Sequence, residues 1–505
     1  MYLSFKNLSG GLISQRNSAV IEVEGEINQY SLSNGFMMGE KGSIGSLCPP
    51  KAFAELSAVS DWANLDTQPR CADYILGAAR LLFIGTEKKD DTAAGCGRVL
   101  KISYSGGSIT PHAVSNGGAW TKRRIDSIFP YKDASDTYAL YLSIDESNNI
   151  DVGRYVLSTD TYDDDWYSTT YGGSVALAGN SNEYLSIIQS VNKGIYINCG
   201  YKIVCFYAGT STVKEIFVPD NGWSVRSQID FGGYYVWLAR REAGNASEAR
   251  VYFWDGISNV SDVQYITIYN IKNPVLVTDG INIYIIGGDD ETPTFGKVLM
   301  YQNGTFVNIF EHTYLQSGIY PQSWTIWRGK ITFISAYSDS GSYYIMYIDG
   351  NKVHILQKIT SAELPLFLKN LQLGKLYYPY KLSTTRKIYE QSSNWVSSLF
   401  TSGIITFPQK VRIPKVKVYF EGTAATNNVF ELIIYNPMTG TDGREIDVQI
   451  SPSMLDTDNN SYSIVKALEK VDKICLKGIW DIQTPSGNPP VINEIRIEYE
   501  ILDLI

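Results

Sequence analysis

The chain has 505 residues, with 43 Lys or Arg against 52 Asp or Glu, and the resulting net charge of −9 argues against a reader of polyanions, whose affinity rests on basic patches. Apolar residues make up 44% and charged residues 19%, which is enough for a sizeable core and too little charge for disorder. Tyr outnumbers Phe by 36 to 18, a choice that suits half-buried pleated surfaces with a wet edge, so strands are expected.

The opening, Met1 to Gly11, has no basic region followed by an apolar stretch, and no window nears the ~18 apolar residues of a spanning helix. A soluble protein without an export signal or membrane segment is expected. Residues 1–25 read as a lead segment. After Pro49-Pro50, Phe53, Leu56, Val59 and Trp62 keep three-to-four spacing and predict a short helix in an insertion.

From residue 26 to about residue 400 one phrase recurs, an aromatic-rich strand, a Gly turn and an apolar strand. It runs through Ile102 to Ile109 with Gly106, Cys205 to Val213 with Gly209, Tyr252 to Val260 with Gly256, Met300 to Val307 with Gly304, and Met346 to Val353 with Gly350. Asp-Gly and Asn-Gly between alternating apolar runs signal hairpins, because Gly supplies the positive φ of a type I′ turn. From Gly209 to Gly350 the turn glycines stand 47, 48 and 46 residues apart. A further unit fits between Gly106 and Gly209, with Tyr138 to Ile144 and Asp151 to Leu157 as its strands. Second strand phrases precede most turns: Arg80 to Gly85, Gly194 to Asn198, Tyr234 to Leu238, Asn282 to Gly287 and Lys330 to Ile334. Four strands per ~45 residues describe a β-propeller blade. Six or seven blades are expected, and Leu373 to Tyr378 with Thr385 to Tyr389 favours the seventh.

Beyond residue 400 the pattern changes. Val411 to Phe420, Phe430 to Tyr435 and Ile492 to Ile501 carry period-two alternation with Lys, Arg and Glu on the outer face, which predicts an antiparallel β-sandwich over residues 401–505. Ile464, Val465, Leu468 and Val471 alone keep helical spacing there.

Motifs that carry chemistry are scarce. Cys48, Cys71, Cys96, Cys199, Cys205 and Cys475 include no CxxC pair, which argues against a disulfide framework or a zinc site and fits a reducing compartment; Cys199 and Cys205 are candidates to face each other across a hairpin. His112, His312 and His354 are the only histidines, and the first and last sit in or beside hairpin strands, where a structural imidazole is the stronger reading. No GxSxG elbow is present, and Gly95-Cys96-Gly97 lacks the helix a phosphate cradle needs. Asp90-Asp91, Asp163 to Asp165 and Asp289 to Glu291 read as solvated loops. Ser143 to Asp145 and Ser158 to Asp160 begin a sialidase-type Asp-box but lack its Gly. Tyr162 with Trp166 and Tyr167, and Trp324 with Trp327, are candidates to stack on sugars, but packing between blades is the stronger reading. No catalytic residue, cofactor site or metal site is expected.

Three regions together resemble the tail hub or tail accessory proteins of short-tailed bacteriophages: Phe5 to Leu12 with Ile27 to Gly35 and Gly42 to Leu47, Trp395 to Gly403, and Pro414 to Gly422 with Ile495 to Tyr499. The resemblance implies a virion structural protein, not an enzyme, assembled in the host cytoplasm as a homo-oligomeric ring below the portal. Its partners would be other tail, portal and adaptor proteins, with genomic DNA passing nearby without sequence-specific binding. Strand addition at the sandwich edge, guarded by Lys415 and Lys417, is the expected form of part of the subunit contact. A glycan-binding or glycan-cleaving propeller and a cellular scaffold propeller are the alternatives.

Overall fold

A computed structural model describes only the backbone of short strands ahead of residue 47, then residues 47–56, 68–75, 81–87, 97–103 and 109–112, and most of residues 122–502. The chain divides into two compact units, residues 55–343 with 360–390, and residues 1–54, 344–359 and 391–505. It is all-β, a propeller followed by a sandwich. The single α-helix among the described residues is Trp166–Thr170.

Seven four-stranded antiparallel blades make the propeller. Blade 1 (Gln68–Ile75, Leu81–Glu87, Val99–Ser103, Ile109–His112) and blade 2 (Lys122–Lys132, Thr137–Asp145, Ile150–Val156, Thr161–Asp163) join through one pair, Glu87 with Arg124. Blade 3 is Ser186–Gln189, Ile195–Asn198, Ile203–Phe206 and Val213–Phe217, and blade 4 is Trp223–Phe231, Tyr234–Arg241, Ala249–Trp254 and Tyr265–Ile268. Blade 5 is Ile271–Thr278, Ile283–Asp289, Gly296–Gln302 and Thr305–His312, and blade 6 is Trp324–Trp327, Lys330–Ile334, Ser342–Asp349 and Lys352–Thr360. Blade 7 takes Lys369–Asn370, Leu376–Leu382 and Thr385–Trp395 from one end of the repeat and its outer strand, Lys51–Glu55, from the other.

That closing strand corrects the helix expected after Pro49-Pro50 as far as Phe53 and Leu56; Val59 and Trp62 lie outside the described residues. Leu56 N–H donates to Ile388 O at 2.9 Å, Ser392 Oγ donates to Ala52 O at 3.1 Å, and Lys387 pairs with Glu55. An open sheet edge offers a row of backbone partners, and that outweighs a helical spacing carried by few residues.

Burial falls from the inner strands outward, as face-to-face blade packing requires. Ile283–Asp289 is buried throughout, whereas Val213–Phe217 is half exposed. Between blades 3 and 4, Tyr196 stacks on Tyr235 with centroids 4.2 Å apart; between blades 4 and 5, Val236, Leu238 and Val251 meet Ile271, Leu276 and Ile285. Asn303-Gly304, with φ of 51° and 83°, makes the expected two-residue turn, and Gly350 supplies φ 62° at the next. Gly256 differs: it lies in a longer loop from Trp254 to Tyr265 that contains a 3-10 turn, and the Asp255 carboxylate accepts from Ile257 N–H at 2.9 Å and Ser258 N–H at 2.7 Å. Gly106 and Gly209 lie outside the described residues.

Gly153 has a packing role. It stands opposite Tyr141 across blade 2, and a Cβ there would come within 2.3 Å of the Tyr141 ring, whose hydroxyl donates to buried Asp164. With the ring anchored at its far end, Gly153→Ala should lose about 2–3 kcal/mol, read as a lower urea midpoint at unchanged slope.

The second unit gathers both ends of the chain. Leu468–Ile482 holds its two sheets together: residues up to Ile474 pair with Ile404–Glu421, and residues from Cys475 pair with Asn428–Tyr435, while Ser398–Ser402 lies along its other side. The core between them is aromatic, with Trp480 at 5.5 Å from Phe430 and 5.7 Å from Phe400, and its indole N–H donating to Pro490 O at 2.9 Å. Tyr2–Phe5 pairs antiparallel with Val491–Ile501, and Val20–Glu22 pairs parallel with Ile404–Glu421. The helical spacing at Ile464 to Val471 is not realised; both flanks are strands and Val465 is 79% exposed. Lys415 and Lys417 do not guard an edge, because their strand is paired on both sides, Lys417 opposite Ser463 and Arg496.

Candidate functional site

The first strand of each blade lines the propeller's centre, and hydroxyls in these strands tie one blade to the next. Ser127 Oγ accepts from Ile187 N–H at 3.3 Å, Ser227 Oγ from Leu276 N–H at 2.9 Å, and Thr325 Oγ1 from Asn370 N–H at 3.2 Å. Gln228 does the same work with an amide, donating to Ser186 O at 3.0 Å while Tyr235 donates to its Oε1 at 2.5 Å. β-Bulges before Ser127 and before Ser227 turn Asp126 and Arg226 out of the ladder.

At the end where these strands begin, charged and aromatic side chains fill the centre. Asp126, with a fully buried side chain, accepts from Arg70 Nε at 2.8 Å, from Arg124 at 2.7 Å and from Leu185 N–H at 3.4 Å; Glu87 also binds Arg70. Burial opposes the Arg70 charge, but Asp126 and Glu87 outweigh it and hold the guanidinium's pKa above its usual range. Arg70 also lies 4.6 Å over the ring of Tyr184, which meets Tyr320 edge-on at 5.2 Å. Tyr184 enters blade 3 and Tyr320 enters blade 6, so this contact crosses the axis.

Further along the same strands lies a cavity of about 430 Å³ lined by residues of several blades, among them Asp73, Ser127, Ser227, Trp324, Thr325 and Lys369. Lys369 Nζ stands 3.6 Å from the Asp73 carboxylate. Burial raises the Asp73 pKa, and Lys369 together with the Tyr74 N–H works against that rise. Phe129, Ile188, Trp324 and Ile326 on its wall are half-buried. Asp73 and Lys369 carried no motif. A hydroxyl recurs in three of the first strands, at Ser127, Ser227 and Thr325, but nothing in it points to Asp73 or Lys369.

None of the residues weighed as catalytic lines this cavity except Trp324, which is half exposed at its wall and so departs from the core position expected of it. Trp327 is core, with its indole N–H donating to Gly374 O at 2.5 Å. Trp166 and Tyr167 pack on Phe206 at 5.5 and 6.0 Å, as expected for aromatics between blades. The acidic runs are not simply solvated. Asp164 is buried under Tyr141, and Asp289 is buried 3.4 Å from Lys297, whereas Asp163 and Asp165 pair with Arg154 and Lys122. Asp90-Asp91 and Gly95-Cys96 lie outside the described residues. His354 is buried and stacks on Tyr347 at 4.7 Å, and His312 Nδ1 accepts from Tyr314 N–H at 3.2 Å. Cys199 and Cys205 are buried free thiols, their pKa pushed up by burial to about 12 and about 11. Among the described residues no His, Cys, Asp and Glu group is arranged to hold a metal, and no helix is long and apolar enough to cross a membrane.

No family model and no curated protein matches the chain. Solved structures do resemble it in fold. An exo-β-1,3-galactanase from Phanerochaete chrysosporium is 10% identical with a TM-score of 0.31, over 85% of this chain and 96% of that one. The extracellular domain of a putative one-component system from B. thetaiotaomicron is 11% identical with a TM-score of 0.40, over 74% and 44%. Chaetomium thermophilum Sqt1, bound to the N-terminus of the ribosomal protein L10, is 9% identical with a TM-score of 0.41, over 63% and 84%. The expectation that the chain is not an enzyme is corrected here: a glycoside hydrolase stands among these structures, so the fold gives no ground for denying activity. At these identities the likeness is one of fold and names no reaction for this chain.

Proposed function

We propose that the chain is a structural protein of a bacteriophage tail, one copy of a homo-oligomeric ring contacting portal or adaptor and other tail proteins. The observation that carries this reading is the second unit, where Tyr2–Phe5, Val20–Glu22, Ile404–Glu421 and Val491–Ile501 build a large sheet from both chain ends, beyond anything the propeller needs to close. A unit the main fold can spare is suited to repeated contacts between copies, which close into a ring when the rotation permits. With Lys415 and Lys417 inside the sheet, the edge available for strand addition is Arg444–Ile450, which among the described residues pairs only with Asn428–Tyr435. Arg444, Glu445, Asp447 and Gln449 are exposed on it, the kind of charged edge that resists indiscriminate pairing.

In this reading the genome passes through the centre of the ring of copies and not through the propeller of any one copy, whose axis the contact of Tyr184 with Tyr320 crosses. Mass spectrometry of phage particles purified from cells expressing the gene tests the proposal. Recovery of the chain in a fixed ratio to the portal protein is the expected result, and particles that assemble and infect without the chain overturn it.

A further inference from the structure

We infer that the central cavity is a binding site for a neutral polyhydroxylated ligand the size of one or two sugar units. The observation behind this is the chemistry of the wall. Among the described residues, its only ionisable lining groups are Asp73 and Lys369, 3.6 Å apart, so their formal charges cancel. An anion would meet an ammonium already committed to a carboxylate, and a cation would meet the reverse. Arg70 and Arg124, toward the end at Tyr184, are taken up by Asp126 and Glu87.

An apolar ligand fits no better, since it would strip water from a carboxylate, an ammonium and several hydroxyls without replacing the hydrogen bonds. Hydroxyl groups match this wall. Ser127, Ser227 and Thr325 each accept a backbone N–H through the side-chain oxygen, which leaves the O–H hydrogen to donate inward. Asp73 accepts from ligand hydroxyls, Lys369 donates to them, and the half-buried Trp324 offers an apolar surface to the C–H face of a pyranose. The volume of about 430 Å³ falls in the range of small-ligand sites, roughly 300–1,000 Å³. The contact of Tyr184 with Tyr320 lies across the axis, which suits a short sugar or the terminus of a longer one better than a threaded polymer.

Isothermal titration calorimetry on the full chain tests this, with glucose, galactose, mannose, N-acetylglucosamine, maltose, lactose and sorbitol as neutral probes and glucuronate as the charged one. At least one neutral probe should bind, glucuronate should bind more weakly, and Asp73→Asn and Lys369→Gln should each weaken binding by about tenfold or more. Glu469→Gln, an exposed change in the other unit, should leave binding unaltered. Circular dichroism and the thermal midpoint establish that the variants are folded, and either cavity variant suffices if the other is not. The inference is overturned if no neutral probe binds, if glucuronate binds best, or if the folded cavity variant binds as the parent does. It does not depend on the virion reading.

Discussion

Asp126→Ala should lower the stability of the chain by about 3–5 kcal/mol, more than any other single replacement in the propeller centre. Its carboxylate takes a hydrogen bond from Arg70 at 2.8 Å and from Arg124 at 2.7 Å, and both guanidinium groups are buried. Removing the carboxylate takes one ion-pair partner from each of two buried guanidinium groups, leaving Arg70 with Glu87 and the Tyr184 ring, and breaking a buried pair from one side costs far more than the net worth of the pair. Asp126→Asn keeps the shape and part of the hydrogen bonding, so it should fall between the parent and Asp126→Ala. Urea unfolding of the three chains measures the order. A loss below about 1 kcal/mol for Asp126→Ala would mean that the centre is wet enough to solvate the arginines.

The second large effect is on acid stability and belongs to His312. Burial lowers its pKa from 6.5 to about 4, and the imidazole accepts from Tyr314 N–H while lying 4.3 Å from the Tyr314 ring. The folded chain therefore keeps His312 neutral where the unfolded chain would protonate it. Stability from this group is fully present above pH 6.5, falls as pH drops toward 4, and levels off below that, a change of about 3 kcal/mol in all. Carboxylates titrate over part of this window, so the test is a difference. The gap in unfolding free energy between the parent chain and His312→Gln should narrow by that amount from pH 7 to pH 4. Parallel curves would show that His312 is solvated or protonated in the fold.

The propeller was legible in the sequence because its turns are local. Asn303-Gly304 states a two-residue turn in two residues, and the regular distance to Gly350 states the repeat. What escaped was long-range. Lys51–Glu55 carries nothing in its own spacing to show that its partner lies at Thr385–Trp395, and the four apolar residues from Phe53 to Trp62 pointed to a helix instead. Lys415 and Lys417 read as edge guards because alternation reports which face is wet and says nothing about how many neighbours a strand has. The cavity was hidden for the same reason. Asp73 and Lys369 are nearly 300 residues apart, and only the closing of the ring brings them within 3.6 Å.

The order in which the chain is made follows from its two closures. Lys51–Glu55 is made well before Thr385–Trp395, its one partner strand among the described residues, and there Tyr2–Phe5 pairs with Val491–Ile501 and the neighbouring Glu26–Ile27. At about 5–20 residues per second, the nascent chain spends tens of seconds with these leading strands lacking their C-terminal partners. The last steps of folding are therefore long-range and late, the regime in which folding is slow and exposed strands find the wrong neighbours. The hazard peaks while the later strands are still unmade, and a chaperone that shields the first fifty or so residues would act where the fold is most vulnerable.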